Sequence, residues 1–227
     1  YDAVASVLRL ELGLSAGSEA ELGLARELGR VLDDELLDDE AAVKAYGRVL
    51  ELAPGDDHAE EAIERSTMRR AKWRELVTRY VEEARSASDT ALKSSFLVSA
   101  AETAFRYGRP ELAAKGKKGK APRKVLLEEV VSGLSEALEI DPKNRRAALL
   151  LEHVYREEER FEELAQAMER FALESSAKDE KVAGYLRLGR LTRKRLAAPE
   201  RAATAYERVL ELSPGHPEAI SFLANHF

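Results

Sequence analysis

One segment of this chain occurs twice. Leu28-Gly29-Arg30, Glu40, Ala42, Ala45-Tyr46, Arg48-Val49-Leu50-Glu51-Leu52 and Pro54-Gly55 recur 160 residues later. The copy reads Leu188-Gly189-Arg190, Glu200, Ala202, Ala205-Tyr206, Arg208-Val209-Leu210-Glu211-Leu212 and Pro214-Gly215. A fixed period of this kind is the signature of a repeat architecture, in which each unit buries its apolar face only by stacking on its neighbours.

Shorter matches give the unit. The ending Glu136-Ala137-Leu138-Glu139-Ile140-Asp141-Pro142 stands 88 residues after the first copy and 72 before the last. Tyr1-Asp2-Ala3-Val4, Trp73-Arg74-Glu75-Leu76 and Phe161-Glu162-Glu163-Leu164 are separated by 72 and 88 residues. The underlying unit is therefore 72 residues long, and one copy carries 16 extra. Each unit holds two dissimilar helical pairs of about half that length, near the roughly 34 residues of a helix-turn-helix repeat.

Those residues resemble the tetratricopeptide repeat family. Leu188-Gly189, Ala202, Tyr206, Val209 and Pro214 fill the family's pattern in the fifth pair, as do Leu28-Gly29, Ala42, Tyr46, Val49 and Pro54 in the first. The second pair of each unit departs from it: Glu64 and Glu152 stand where the family has Gly or Ala. The resemblance implies an all-α fold, a right-handed solenoid of stacked antiparallel helix pairs. The expected layout is a half-pair at 1–14, pairs at 21–54, 57–88, 92–142, 145–176 and 180–214, and a partial pair at 217–227. Gly189 and Ala202 let two helix axes approach, and Tyr206 fills the space between pairs. Pro54-Gly55 and Pro214-Gly215 stop helices, the glycines by taking a left-handed turn.

With 36 basic and 42 acidic residues the net charge is -6, which argues against wholesale nucleic-acid binding. No cysteine is present, excluding disulfides, thiolate catalysis and cysteine-based zinc sites. No apolar run has the length of a membrane span. The chain opens at Tyr1 inside a helical pattern and is read as a segment of a longer protein. Its Ala, Leu, Arg and Glu bias resembles that of high-GC bacterial scaffolds, and the compartment stays open between cytoplasm and periplasm.

By the resemblance, first helices of the pairs line a concave groove. Position by position this face takes Arg26, Arg30, Asp33 and Asp34, then His58, Glu61, Arg65 and Arg69, then Glu102, Phe105 and Arg106. It continues with Arg146, Leu149, His153 and Arg156, and ends with Arg190, Arg193 and Lys194. A groove of arginine forks suits a partner protein with an acidic peptide segment; arginine on solvated helix faces is the plainer reading. The 16 extra residues fall within 108–123. The run there, Lys115, Lys117, Lys118, Lys120, Arg123 and Lys124 among glycines, has the composition of a flexible loop. It is either a solvated insertion or a site for an anionic surface, lipid or nucleic-acid backbone. Without aromatic residues between the cations, specific nucleic-acid recognition is not expected.

Catalytic and cofactor motifs are not found. His58, His153, His216 and His226 lack metal-ligand spacing, the acidic run Asp33 to Glu40 lacks the spacing of a calcium loop, and no phosphate-binding loop occurs. The aromatic trio Tyr1, Trp73 and Phe161 falls at the repeat period and reads as a packing position. The sequence thus points to a protein-interaction scaffold without catalytic residues of its own. The alternatives are an adaptor for anionic surfaces through 115–124 and a repeat region of a larger enzyme.

Overall fold

The small residue and the aromatic of the repeat meet in space. A Cβ placed on Gly29 would lie 2.7 Å from the Tyr46 ring, and one on Gly189 would lie 3.0 Å from the Tyr206 ring. Each glycine is thus a seat for the tyrosine of the next helix, and both tyrosines are buried. At the equivalent places of the third pair stand Ala101 and Leu134, also buried. There a larger seat goes with a smaller occupant.

These interlocks hold a fold that a computed structural model describes for residues 1–114 and 116–226. Among the described residues it is helical throughout, with no strand. The helices are α1 (Asp2–Leu14), α2 (Ala20–Arg30), α3 (Asp39–Leu52), α4 (Asp57–Ser86), α5 (Thr90–Thr103), α6 (Arg109–Ala114), α7 (Lys120–Ile140), α8 (Arg145–Glu157), α9 (Phe161–Glu174), α10 (Lys178–Lys194), α11 (Pro199–Leu212) and α12 (Pro217–His226). Two π-helical turns, Val31–Glu35 and Ala104–Gly108, follow α2 and α5. α4 is two helices run together, broken at Lys72 by a non-helical φ of -117°.

The chain divides into two units, 1–78 with 103–126 and 79–102 with 127–227. In the first, α1 packs on α2 and α2 on α3. Ala25, Leu28, Val31, Leu32, Tyr46 and Val49 form the centre of its core. Trp73, the second of the periodic aromatics, is buried in this unit: a Cβ on Gly108 would lie 2.8 Å from its ring, and its indole N–H donates to Glu111 at 2.7 Å. In the second unit α8 packs on α9, α9 on α10, α10 on α11 and α11 on α12. α5 reaches α7 through Ser94, whose hydroxyl donates to the carbonyl of Ala137 at 3.0 Å. Short turns between packed neighbours make these pairs antiparallel.

Helix ends follow local chemistry. Asp38 and Asn144 cap α3 and α8 by accepting from the backbone N–H three residues on. After α3, Gly55 takes the left-handed turn with a φ of +86°. Gly215 is not among the residues with positive φ, so the second Pro-Gly ends α11 without that turn.

The basic stretch differs from expectation. It is not a loop: α6 fills 109–114, a 3-10 turn covers Gly116–Gly119, and α7 begins at Lys120. Alanine and lysine are good helix formers, and Pro122 sits in the first turn of α7, where no intrahelical hydrogen bond is lost. Lys118, Lys120 and Lys124 are exposed, and Arg123 is half-buried. Lys115 lies outside the described residues, as does the side chain of Lys117.

Candidate functional site

Arginines recur along the first helices, and the fold gives most of them a carboxylate. In the first unit Arg26 of α2 donates to Asp56, which opens α4, through Nε at 3.0 Å and a terminal nitrogen at 2.6 Å. Arg65 of α4 reaches back 3.4 Å to Asp33, in the π turn after α2. Arg30 pairs with Glu27 of its own helix at 2.6 Å. Arg69 hydrogen-bonds Tyr107, and His58 meets the Tyr46 ring edge-on at 5.7 Å.

The second unit repeats the scheme. Arg146 of α8 pairs with Glu102 at the end of α5. Arg190 of α10 grips Glu218 of α12, with Nε at 2.8 Å, and the Tyr206 hydroxyl donates to the same carboxylate at 3.0 Å. The Arg190 fork, helped by that hydroxyl, holds the Glu218 carboxyl down at about 2. Arg193 lies 5.6 Å above the Phe222 ring, Arg156 is exposed near buried Glu152, His153 is half-buried and Lys194 is exposed.

Apart from Arg30–Glu27, each such pair braces one first helix to the next. Exposed pairs contribute little to stability, roughly 0–1 kcal/mol each, but they hold the guanidinium planes in place. Arg26, Arg65, Arg146 and Arg190 all stay about half exposed while so held.

Arg106 departs from this scheme. Expected on the open face, it is instead buried, at 9% exposure. Its guanidinium lies between Asp33 and Asp39, with Nε 3.5 Å from an Asp39 oxygen. Burial pulls its pKa below the ordinary guanidinium value. Arg106 lies in the second π turn, where Phe105, Arg106 and Tyr107 are all buried. Asp39 also accepts from the Ser66 hydroxyl at 2.8 Å and pairs with Arg70. The acidic run thus serves as the counter-charge of the arginines, a role its spacing did not disclose. Among the described residues no group of three or more His, Cys, Asp or Glu could hold a metal ion.

Beside this network is a cleft of about 530 Å³, lined among others by Asp39, Arg70, Arg106, Tyr107, Arg109 and Arg123. Arg70 and Arg109 were not singled out by the repeat, since neither falls on the first-helix face. A smaller cleft of the second unit, about 240 Å³, lies among Leu138, Leu151, Tyr155, Ala167 and Phe171.

Among the described residues no helix is long and apolar enough to cross a membrane. The fold is a tetratricopeptide-like helical repeat: antiparallel pairs, glycine seats for tyrosines, and braces between successive first helices. Solved structures similar to the chain include a thermophilic TPR protein of Thermus thermophilus, 17% identical, with 90% of this chain and 98% of that one covered at a TM-score of 0.38. Another is an assembly chaperone of RpL4, also 17% identical, with 98% of this chain and 88% of that one covered at a TM-score of 0.31. No family model and no curated protein matches the chain.

Proposed function

We propose that the chain is a protein-interaction scaffold that holds a peptide segment of a partner against its first-helix faces. The observation that carries this reading is the row of arginines held by carboxylates yet half open to solvent: Arg26 and Arg65 in one unit, Arg146 and Arg190 in the other. A guanidinium has five N–H donors, and a brace to one carboxylate leaves some of them facing water. A side chain already fixed loses less rotamer freedom on meeting a partner, so each contact is worth more than one made by a free arginine. Because Arg26, Arg65, Arg146 and Arg190 each have a counter-charge, the face favours a segment that mixes carboxylates with backbone carbonyls over a purely anionic polymer. The composition is in keeping with a bacterial scaffold of this kind.

The test is an affinity pulldown from native extract with two variant sets. One carries Arg146 and Arg190 as Gln; the other keeps the arginines and carries Glu102 and Glu218 as Gln. Both break the same braces, so equal helicity and equal unfolding midpoints are checked first. The proposal expects partners to be lost from the arginine set and kept by the carboxylate set. Partners kept by both, or lost from both together with helicity, would overturn it.

A further inference from the structure

The 16 extra residues of the third pair do more than lengthen a link. In the first and fifth pairs the connection between first and second helix is short, from Glu35 to Asp39 and from Lys194 to Pro199. In the third pair the same connection holds α6 and the 3-10 turn. This segment supplies Arg109, Pro110, Glu111, Ala113, Ala114 and Arg123 to the cleft of about 530 Å³ in the first unit. The remaining lining is Leu37 to Glu40, Arg70 of α4, and Arg106 and Tyr107 of the second π turn. The cleft is thus a product of the interruption in the repeat, and insertions are where repeat proteins commonly carry binding groups.

Asp39 also departs from the repeat. Its counterparts are Leu127 in the third pair and Pro199 in the fifth, so a buried carboxylate stands where the other copies have an apolar side chain. Asp39 and Asp33 together serve as counter-charges to Arg65, Arg70 and Arg106, two acids for three cations. Arg106 is more than nine-tenths buried, and neither its Nε nor the Asp39 oxygen 3.5 Å away makes a hydrogen bond. Two other acids of the lining are answered by cations that do not line it, Glu40 by Lys44 at 2.7 Å and Glu111 by Arg74 at 2.9 Å. Positive charge is therefore in excess around the cleft, and burying such an excess is costly until an anion balances it. Its guanidinium groups are also held in place: Arg70 is tied to Asp39, and Arg109 lies 4.3 Å over the Phe105 ring.

Arg70, Arg106, Arg109 and Arg123 belong to α4, the π turn, α6 and α7, so the forks reach one cleft from four elements. A planar carboxylate is matched by a fork lying in its own plane, whereas a phosphoryl group offers three acceptor oxygens in different directions and carries up to about two charges. We infer that this cleft is a phosphoryl-binding site, in which Arg70, Arg109 and Arg123 donate to the oxygens and Arg106 adds its charge from the buried side. The volume lies within the roughly 300–1,000 Å³ usual for small-molecule sites. Leu37, Pro110, Ala113 and Ala114 give the lining an apolar share. Both features suit a phosphoryl group carried on a larger body, such as a phosphorylated side chain, better than the free ion.

The test titrates the intact 227-residue chain with inorganic phosphate and with N-acetyl-phosphoserine amide, followed by phosphorus magnetic resonance. Arg70→Gln and Arg123→Gln alter two different elements, so a folding loss in one leaves the other to decide. Arg70 is half exposed, and circular dichroism verifies that its variant stays folded. Lys118→Gln combined with Lys124→Gln removes two exposed cations of the basic stretch that do not line the cleft. Each arginine variant should bind at least about tenfold more weakly, and the lysine variant should match the wild type. Equal affinity for the two probes would make free phosphate the ligand; tighter binding of the phosphoserine derivative would make it a phosphorylated side chain. The inference fails if neither probe binds saturably, if the folded arginine variants bind as the wild type does, or if the lysine variant is weakened as much as they are.

Discussion

At the scale of single residues, the fold turns on which side chain is allowed to be small. Gly29 and Gly189 sit within 2.7 and 3.0 Å of a tyrosine ring, measured from where a Cβ would be. Gly29→Ala should cost about 1–3 kcal/mol by overpacking. The third pair, with Ala101 and Leu134 at the equivalent positions, indicates how the strain is relieved. Tyr46→Leu alone leaves a void, but combined with Gly29→Ala it should cost clearly less than the sum of the two singles in denaturant melts. Strict additivity would refute the interlock. The glycine, the small residue and the aromatic were legible from the sequence because they recur at a fixed shift. Glu152 was legible only as an irregularity. It is buried, its pKa is raised by burial more than Arg187 and Arg156 lower it, and one of its oxygens has no hydrogen bond. A carboxyl with a raised folded-state pKa keeps its full contribution below its unfolded value, near 4.5, and loses it as pH rises through the folded value. Glu152→Gln should therefore be more stable than wild type at neutral pH, with the advantage shrinking toward acid. Unfolding curves at both ends of that range decide it, since Arg187, about a third exposed, can turn to water.

At the scale of elements, stability follows the number of neighbours. α10 lies between α9 and α11, whereas α1 has α2 and the π turn after it. In a stack whose stability is nearly a sum over adjacent pairs, outer helices open first. Amide hydrogen exchange in dilute solution should accordingly be faster by orders of magnitude in α1 than in α10; equal protection would contradict nearest-neighbour stability. The elements themselves were readable from period and punctuation, as at Pro54-Gly55. The basic stretch was not. Glycine and lysine composition argued for a loop, and tertiary context made helix of it, with Leu112 and Leu126 buried on either side of the 3-10 turn. The π turns were also invisible, because one added residue per turn leaves no trace in a 3.6-residue pattern.

At the scale of the molecule, each unit is tied by carboxylates of one helix gripping arginines of the next, so several cations of a face that read as net basic in the sequence carry counter-charges in space. The arginines were visible by their recurrence; their partners were not, since Asp56, Glu102 and Glu218 lie 30, 44 and 28 residues away along the chain. A repeat of two unlike pairs also sets a quantum of length. Glycine–tyrosine interlocks occupy the first kind of pair, and buried Glu152 belongs to the second. Removing or duplicating a block of 72 residues brings together surfaces that already meet elsewhere in the chain. Removing half a block would set like pairs side by side, a junction for which this sequence has no precedent, so the array is free to grow or shrink by four helices and resists change by two.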